Sequence, residues 1–387
     1  MRTRMRKKSM LLIVVMIIAC LFMTSCSYIK LQLPEEKKPI LEKYTWANEA
    51  NSTYYFNQLD EKLKKPYKDI VNACLSLTEK VDIDRVSGDE LSKVMVAIMR
   101  DYPGILWLGN SYTFMKNIVG KTSVKLQFTM TKDQIDTALT KLNQSTTALL
   151  QDISPKLPDD EKVLLAHDKL VETITYDLQA ANQRNVYGGI VEKKATCEGY
   201  AKALQFLLLK MGIESTVVYG EANEPHAWNL VRLGKDYYWV DATFDDRDLQ
   251  NGGKYLSREY MLITDQQLFR THTISKDGTN WEIPKCDKQE YNYFVKNGTL
   301  VKDTNVKAVQ KLVRAQAQKA IRERTPAFQI QFETNKIAEV LVESSVQNGL
   351  LDNTIFIEAS KYKGVTYTGR TYEAKTNVIT FLLEYKK

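Results

Sequence analysis

Apolar positions along the chain change period several times, and each change marks an element. From about residue 56, Phe56, Leu59, Leu63, Tyr67, Ile70 and Leu77 recur at roughly helical spacing. "SGDELSKVMVAIMRDYP" opens on Ser87 and stops before Pro103, a start and stop pair for a second helix. "GILWLGN" and "TSVKLQFTM" read as strands, the latter alternating Val124, Leu126 and Phe128. "TKDQIDTALTKLNQSTTALLQDIS" is again amphipathic. Pro158 and two aspartates then open a helix whose apolar face carries Val163, His167, Leu170, Val171 and Ile174. His167 on such a face reads as a satisfied core histidine.

A turn-rich loop with Gly188 and Gly189 leads to "KKATCEGYAKALQFLLLKMGI", a helix from Cys197 ended by Gly212. The period then becomes two. "ESTVVYG", "HAWNLVRLGKD" and "YYWVDATFDD" predict three consecutive strands, with "LGKD" turning between the second and third. "REYMLITDQQLFRTHTI" adds a short helix and ends near His272. Beyond residue 289 the pattern starts afresh. A helix through Val309, Leu312 and Val313 stops before Pro326, "AFQIQFE" is a strand, and "NKIAEVLVESSVQNG" is a helix. "NTIFIEAS", "YKGVTYTG" and "NVITFLLEYK" read as strands.

This order predicts an α+β protein. A central unit at 154–288 lies between an N-terminal α/β segment at 46–153 and a C-terminal α/β module at 289–387. At 44% hydrophobic and 26% charged, the chain has the makings of a packed core.

The first residues differ from the rest. "MRTRMRKKSM" holds five basic residues and no acid, and "LLIVVMIIACLFMTSC" follows as an apolar run of signal-peptide length. The run is short for a membrane span. Its end, "LFMTSC", resembles a bacterial lipobox. The expectation is a leader at 1–25, lipidation of Cys26, a tether at 26–45, and a chain held outside the cytoplasm on the bacterial membrane by its lipid. Cys20 is a second candidate for lipidation, and an uncleaved signal anchor is the alternative. Each reading places the bulk of the chain outside the cytoplasm. Of the net charge of +7, five charges sit in the leader. The remainder is near neutral, so the basic pI does not point to nucleic acid.

Beyond the leader stand Cys74, Cys197 and Cys286, an odd number without a pairing pattern. Cys74 falls on the apolar side of a helix, and Cys286 has no motif. The three histidines, His167, His226 and His272, are too scattered in sequence for a zinc cluster, and no cofactor is expected.

Cys197 is placed differently. A helix N-terminus favours a thiolate, because its unpaired N–H groups and the macrodipole attract negative charge. Thr196 is the expected N-cap, and Tyr200, Leu204, Leu207, Leu208 and Met211 form the buried face. Gly199 serves either substrate approach or close packing. A cysteine nucleophile also needs a base, and the base an orienting group. His226 opens the second of the three strands. Asp241 lies in the third, flanked by Trp239, Val240, Ala242 and Phe244, where a carboxylate is costly unless paired. If these strands form a hairpin at "LGKD", His226 and Asp241 face each other across the ladder.

"TCEGYAKALQFLLLKMGIESTVVYG", "HAWNLVRLGKDYYWVDATFDD" and "HDKLVETITYD" together resemble the transglutaminase-like superfamily, over about residues 160–275. The resemblance implies a papain-like core, a helix packed on an antiparallel sheet. It makes Cys197 the nucleophile, His226 the base and Asp241 the orienting acid. The implied reaction is acyl transfer from a peptide, protein or cell-wall peptide amide, with Tyr187, Tyr200 and Trp228 as candidates for a substrate or oxyanion contact. Hydrolysis is preferred over crosslinking, since nothing marks a site for an acceptor lysine. A non-catalytic surface binding module on the same fold is the rival reading.

Overall fold

The computed structural model describes residues 51–248, 254–275 and 280–386. The leader, Cys26 and the whole of the tether lie outside the described residues. Among the described residues no helix is long and apolar enough to cross a membrane.

The N-terminal segment comprises α1 (Tyr54–Asn57), α2 (Glu61–Leu75), β1 (Lys80–Ile83), α3 (Gly88–Asp101), β2 (Leu108–Lys116), β3 (Thr122–Phe128) and α4 (Lys132–Leu150). Helix α3 starts where Ser87 predicts, with a capping box closed by Glu90, and α4 has the same device in Thr131 and Gln134. The strands form an antiparallel sheet in the order β1-β3-β2.

The central unit follows as α5 (Asp159–Thr173), β4 (Thr175–Tyr176), β5 (Lys194–Ala195), α6 (Cys197–Lys210), β6 (Ser215–Glu221), β7 (Pro225–Leu233) and β8 (Asp236–Val240). It continues through β9 (Asp246–Asp248), β10 (Lys254–Leu256), β11 (Met261–Ile263), α7 (Asp265–Leu268) and β12 (Thr273–Ile274). The loop before Cys197 is more ordered than its glycines predict. It contains a π-helical turn, Gly188–Glu192, and the short parallel pair β4–β5. Five antiparallel strands make the main sheet, β11-β8-β7-β6-β12.

Alternation gives this sheet two covered faces. Trp228, Leu230 and Trp239 join the core built by the N-terminal helices, while Val231, Tyr238 and Val240 join the core around α5 and α6. Specific bonds fix the layers. The Tyr55 hydroxyl donates to Val217 O (2.7 Å), Gln205 Nε2 to Arg100 O (2.9 Å), and Asn229 Nδ2 to Ala201 O on α6 (2.9 Å).

The C-terminal module contains α8 (Tyr293–Lys296), β13 (Leu300–Val301), α9 (Val306–Glu323), β14 (Ala327–Phe332), α10 (Asn335–Asn348), α11 (Leu350–Ser360), β15 (Val365–Glu373) and β16 (Val378–Tyr385). The segment "NTIFIEAS", expected as a strand, is helix α11. Its buried residues Leu351, Thr354, Ile355, Glu358 and Ala359 follow helical spacing, and a short apolar run does not distinguish the two periods. The module has its own core and meets the central unit through polar bonds. Arg258 N–H donates to Gln329 Oε1 (3.0 Å), and the Thr376 hydroxyl to Glu259 Oε2 (2.8 Å).

Candidate active site

Cys197 is the first residue of α6, half-buried at the helix's positive end. Thr196 occupies the N-cap position without capping. Its hydroxyl donates to Gln183 O (3.2 Å), so it makes no bond to the first-turn N–H groups. The same loop explains Gly199. A Cβ there would stand 2.3 Å from Gln183 O and 2.7 Å from the Ala195 Cβ, so close packing requires the glycine.

His226 lies near the start of β7, paired with Gly220 of β6. Asp241 follows the last residue of β8. The β7–β8 ladder ends at Asn229 opposite Val240, so extending the register sets Asp241 against Trp228. His226 is therefore offset from Asp241 by two residues rather than directly across. The two still share a sheet face, and the carboxylate reaches diagonally, Asp241 Oδ2 lying 2.7 Å from His226 Nε2. With Nε2 taken, Nδ1 is the ring nitrogen left for Cys197, which is near enough to help hold the imidazole's proton. The structure thus brings Cys197, His226 and Asp241 together in that order.

The electrostatics follow from burial and pairing. Burial alone would favour the neutral His226 ring. The Asp241 charge and hydrogen bond, aided by Cys197, outweigh it and push the imidazole up to about 10. Burial would likewise raise Asp241, but His226 and His272 hold its carboxyl well below the usual carboxylate range. Neutral pH then finds an imidazolium beside Cys197.

Sequence reasoning missed His272. Its Nε2 lies 3.0 Å from the same Asp241 Oδ2. Strand β12 pairs with the free edge of β6, Ile274 against Gly220, and delivers His272 two residues earlier. Gly220 permits this approach, since a Cβ there would sit 2.0 Å from Thr273 O. His226 and His272 are far apart in sequence but adjacent in space, ring centroids 5.5 Å apart. One ring nitrogen of His226, one of His272 and a carboxylate oxygen of Asp241 lie within 4.8 Å of one another, a spacing that two imidazole N–H groups sharing one carboxylate oxygen produce. The available signal was His272 beside the alternating "THTI", which shows its partner only once β12 is known to pair.

His167 is buried, as expected for the apolar face of its helix, but it is bonded at both nitrogens. Nδ1 lies 2.9 Å from Asp168 Oδ1 and Nε2 3.2 Å from Asp245 Oδ2. Burial opposes its charge; the two carboxylates prevail and push it up to about 9. Arg258 closes the network on Asp168 (2.7 Å). Asp245 also accepts from Tyr260 N–H (3.2 Å), and its own N–H donates to Asp241 O (3.2 Å). This buried charge cluster therefore anchors the turn that carries Asp241.

The other singled-out residues are placed elsewhere. Tyr200 is fully buried, its hydroxyl 2.7 Å from Asp246 Oδ2 and 3.1 Å from Ile174 O, so it is not free to meet a substrate. Trp228 is buried beneath His226, ring centroids 5.9 Å apart. Tyr187 lines a surface cavity with Asp133, Thr137 and Glu192. Cys74 and Cys286 are buried, unpaired thiols.

Residues 147–244, which contain all three of Cys197, His226 and Asp241, match the family model of the transglutaminase-like superfamily. This core is similar to that superfamily. No curated protein matches the chain. Similar solved structures include a putative cysteine protease from Cytophaga hutchinsonii, at 14% identity and a TM-score of 0.24 over 34% of this chain and 61% of that one. A TGase is similar at 18% identity and 0.25, over 42% and 48%. Menin, in a structure revealing its binding site for the Mixed Lineage Leukemia protein, is similar at 12% and 0.24, over 60% and 53%. The chain thus spans between about half and three-fifths of the length of these structures.

Proposed function

We propose that this chain is an extracytoplasmic cysteine acyl-transfer enzyme acting on peptide or protein amides through Cys197, His226 and Asp241. The observation that carries the reading is a cysteine at the start of α6 beside an imidazole that is hydrogen-bonded to a buried carboxylate. The expected lipobox leader supports the location.

In this mechanism the Cys197 thiolate attacks the amide carbonyl carbon. The oxyanion forms at the helix N-terminus, where the Cys197 N–H is a donor. His226 gives its Nδ1 proton to the departing nitrogen as the C–N bond breaks, leaving a thioester on Sγ. Asp241 keeps the ring's orientation and stabilises its charge. His226, now neutral, takes a proton from water, the oxygen bonds to the carbonyl carbon, and Sγ leaves. An amine in place of water gives crosslinking; hydrolysis is the favoured outcome.

The test is turnover of peptide and cell-wall amide libraries by the wild type, Cys197→Ser and His226→Ala. Cleavage by the wild type that both variants lose is the expected result. A groove that retains peptides equally in all three proteins, without cleaving them, would establish a binding module instead.

A further inference from the structure

One buried imidazole touches the proposed triad without belonging to it. His272 is 1% exposed, so it does not touch a substrate. It is caged by aromatic rings, with centroid distances of 4.9 Å to Trp228, 4.9 Å to Phe244 and 5.4 Å to Tyr260. Its ring nitrogens face opposite partners, Nδ1 lying 2.7 Å from Thr271 Oγ1 and Nε2 3.0 Å from Asp241 Oδ2. The Tyr260 hydroxyl donates to Thr271 Oγ1 (3.3 Å). Thr271's own proton has two acceptors, Nδ1 at 2.7 Å and Leu268 O at 3.2 Å. The shorter contact makes Nδ1 the acceptor, which puts the imidazole proton on Nε2, aimed at Asp241.

Asp241 then collects four donors. Thr243 N–H (3.0 Å) and Phe244 N–H (3.1 Å) take Oδ1, while His226 and His272 take Oδ2. The backbone pair stops the carboxylate from rotating. The second imidazole divides the oxygen that His226 would otherwise hold alone.

We propose that His272 is a positioning residue of the triad: its Nε2–H shares Asp241 Oδ2 with His226, fixing the carboxylate's direction and limiting its hold on the His226 proton. This rests on the triad reading above. The consequence is chemical. A general acid bound too tightly by its carboxylate gives up its proton poorly, since proton-transfer efficiency follows the acid's strength. By drawing off part of Asp241's charge, His272 keeps the His226 proton transferable to the leaving nitrogen.

The groups that face this arrangement are few. Asp241 meets His226 and His272 on one side and Tyr260 beyond them; Tyr260 in turn feels Glu259 and Arg247. His226 faces Cys197, near which Tyr176 stands with Glu224 and Arg184 among its charged neighbours.

The experiment is a titration of the full-length protein with 15N-labelled histidine, which has only three histidines to resolve. Wild type, His272→Gln and His272→Leu are compared. In the wild type, His272 should carry its proton on Nε2. Leucine removes the donor, and the His226 midpoint should rise by about half a pH unit or more, roughly a threefold change in proton affinity. Glutamine can still donate an N–H and should stay close to wild type. A wild-type proton on Nδ1, an unmoved His226 midpoint in the leucine variant, or equal shifts in both variants overturns the proposal. If the leucine variant does not fold, the wild-type tautomer and the glutamine variant still decide. Failure of the enzyme reading is seen separately, as a Cys197 that alkylates no faster than an ordinary thiol, whatever the tautomer of His272.

Discussion

His226 and His272 approach the same oxygen of Asp241, at 2.7 and 3.0 Å, from strands on opposite sides of β6. A fully buried carboxylate tolerates burial when its lone pairs are filled, and here two imidazoles and two backbone N–H groups fill them. Asp241→Asn turns an ionic acceptor into a neutral amide facing four donors. Breaking a buried pair in this way costs about 3–5 kcal/mol. Urea denaturation should show that loss, and the His226 titration midpoint should fall toward its ordinary range. An unchanged midpoint would mean that Asp241 does not govern the ring.

The cysteines should differ sharply in reactivity. Burial pushes the Cys74 thiol up to about 12 and raises Cys286 further. Cys197 is accessible and has an imidazolium partner. Iodoacetamide at pH 6 should therefore label Cys197 well ahead of Cys74 and Cys286, read by peptide mapping. His226→Ala should slow that labelling by about a hundredfold, the scale of a lost proton partner. Labelling of Cys197 at the rate of an ordinary thiol would count against the proposed nucleophile.

Stability should decline in alkali with a definite sign. His226 and His167 have folded-state values raised to about 10 and about 9, above the ordinary histidine value of 6.5. The native state therefore holds protons that the unfolded chain has released. Their contribution is complete below about pH 6.5 and is lost as pH rises through about 9 and then about 10. The groups facing His167 are Asp168 and Asp245, with Arg258 behind them; those facing His226 are Asp241 and Cys197. Thermal unfolding from pH 7 to 10 should show a falling Tm. His167→Gln should flatten that fall while lowering Tm at pH 7. A Tm independent of pH across this window would contradict the imidazolium assignments.

Gly199→Ala tests how tightly the nucleophile's turn is packed. The added carbon meets Gln183 O at 2.3 Å, a backbone atom that cannot swing away. Overpacking of this kind costs about 1–3 kcal/mol. Chemical denaturation should detect that loss, and Cys197 alkylation should slow as the first turn shifts. A variant as stable and as reactive as wild type would show that the 181–185 loop gives way freely.

The sequence by itself determined the local structure of this site. Apolar spacing placed α6 with Cys197 at its head, and the period-two runs placed β6, β7 and β8 in order, with His226 on β7 and Asp241 just past β8. These features are short-range, governed by helical and strand periodicity and by turn residues. The short apolar run in "NTIFIEAS" misled for the same reason, since eight residues do not separate a buried helix from a strand. Only the tertiary structure decided the rest. Pairing of β12 with β6 brings His272, 31 positions from Asp241, onto its carboxylate. Packing of α5 against the 241–245 turn joins His167 to Asp245 across 78 positions. Such contacts carry no periodic signal, because their residues meet through the fold of the backbone rather than through spacing along it.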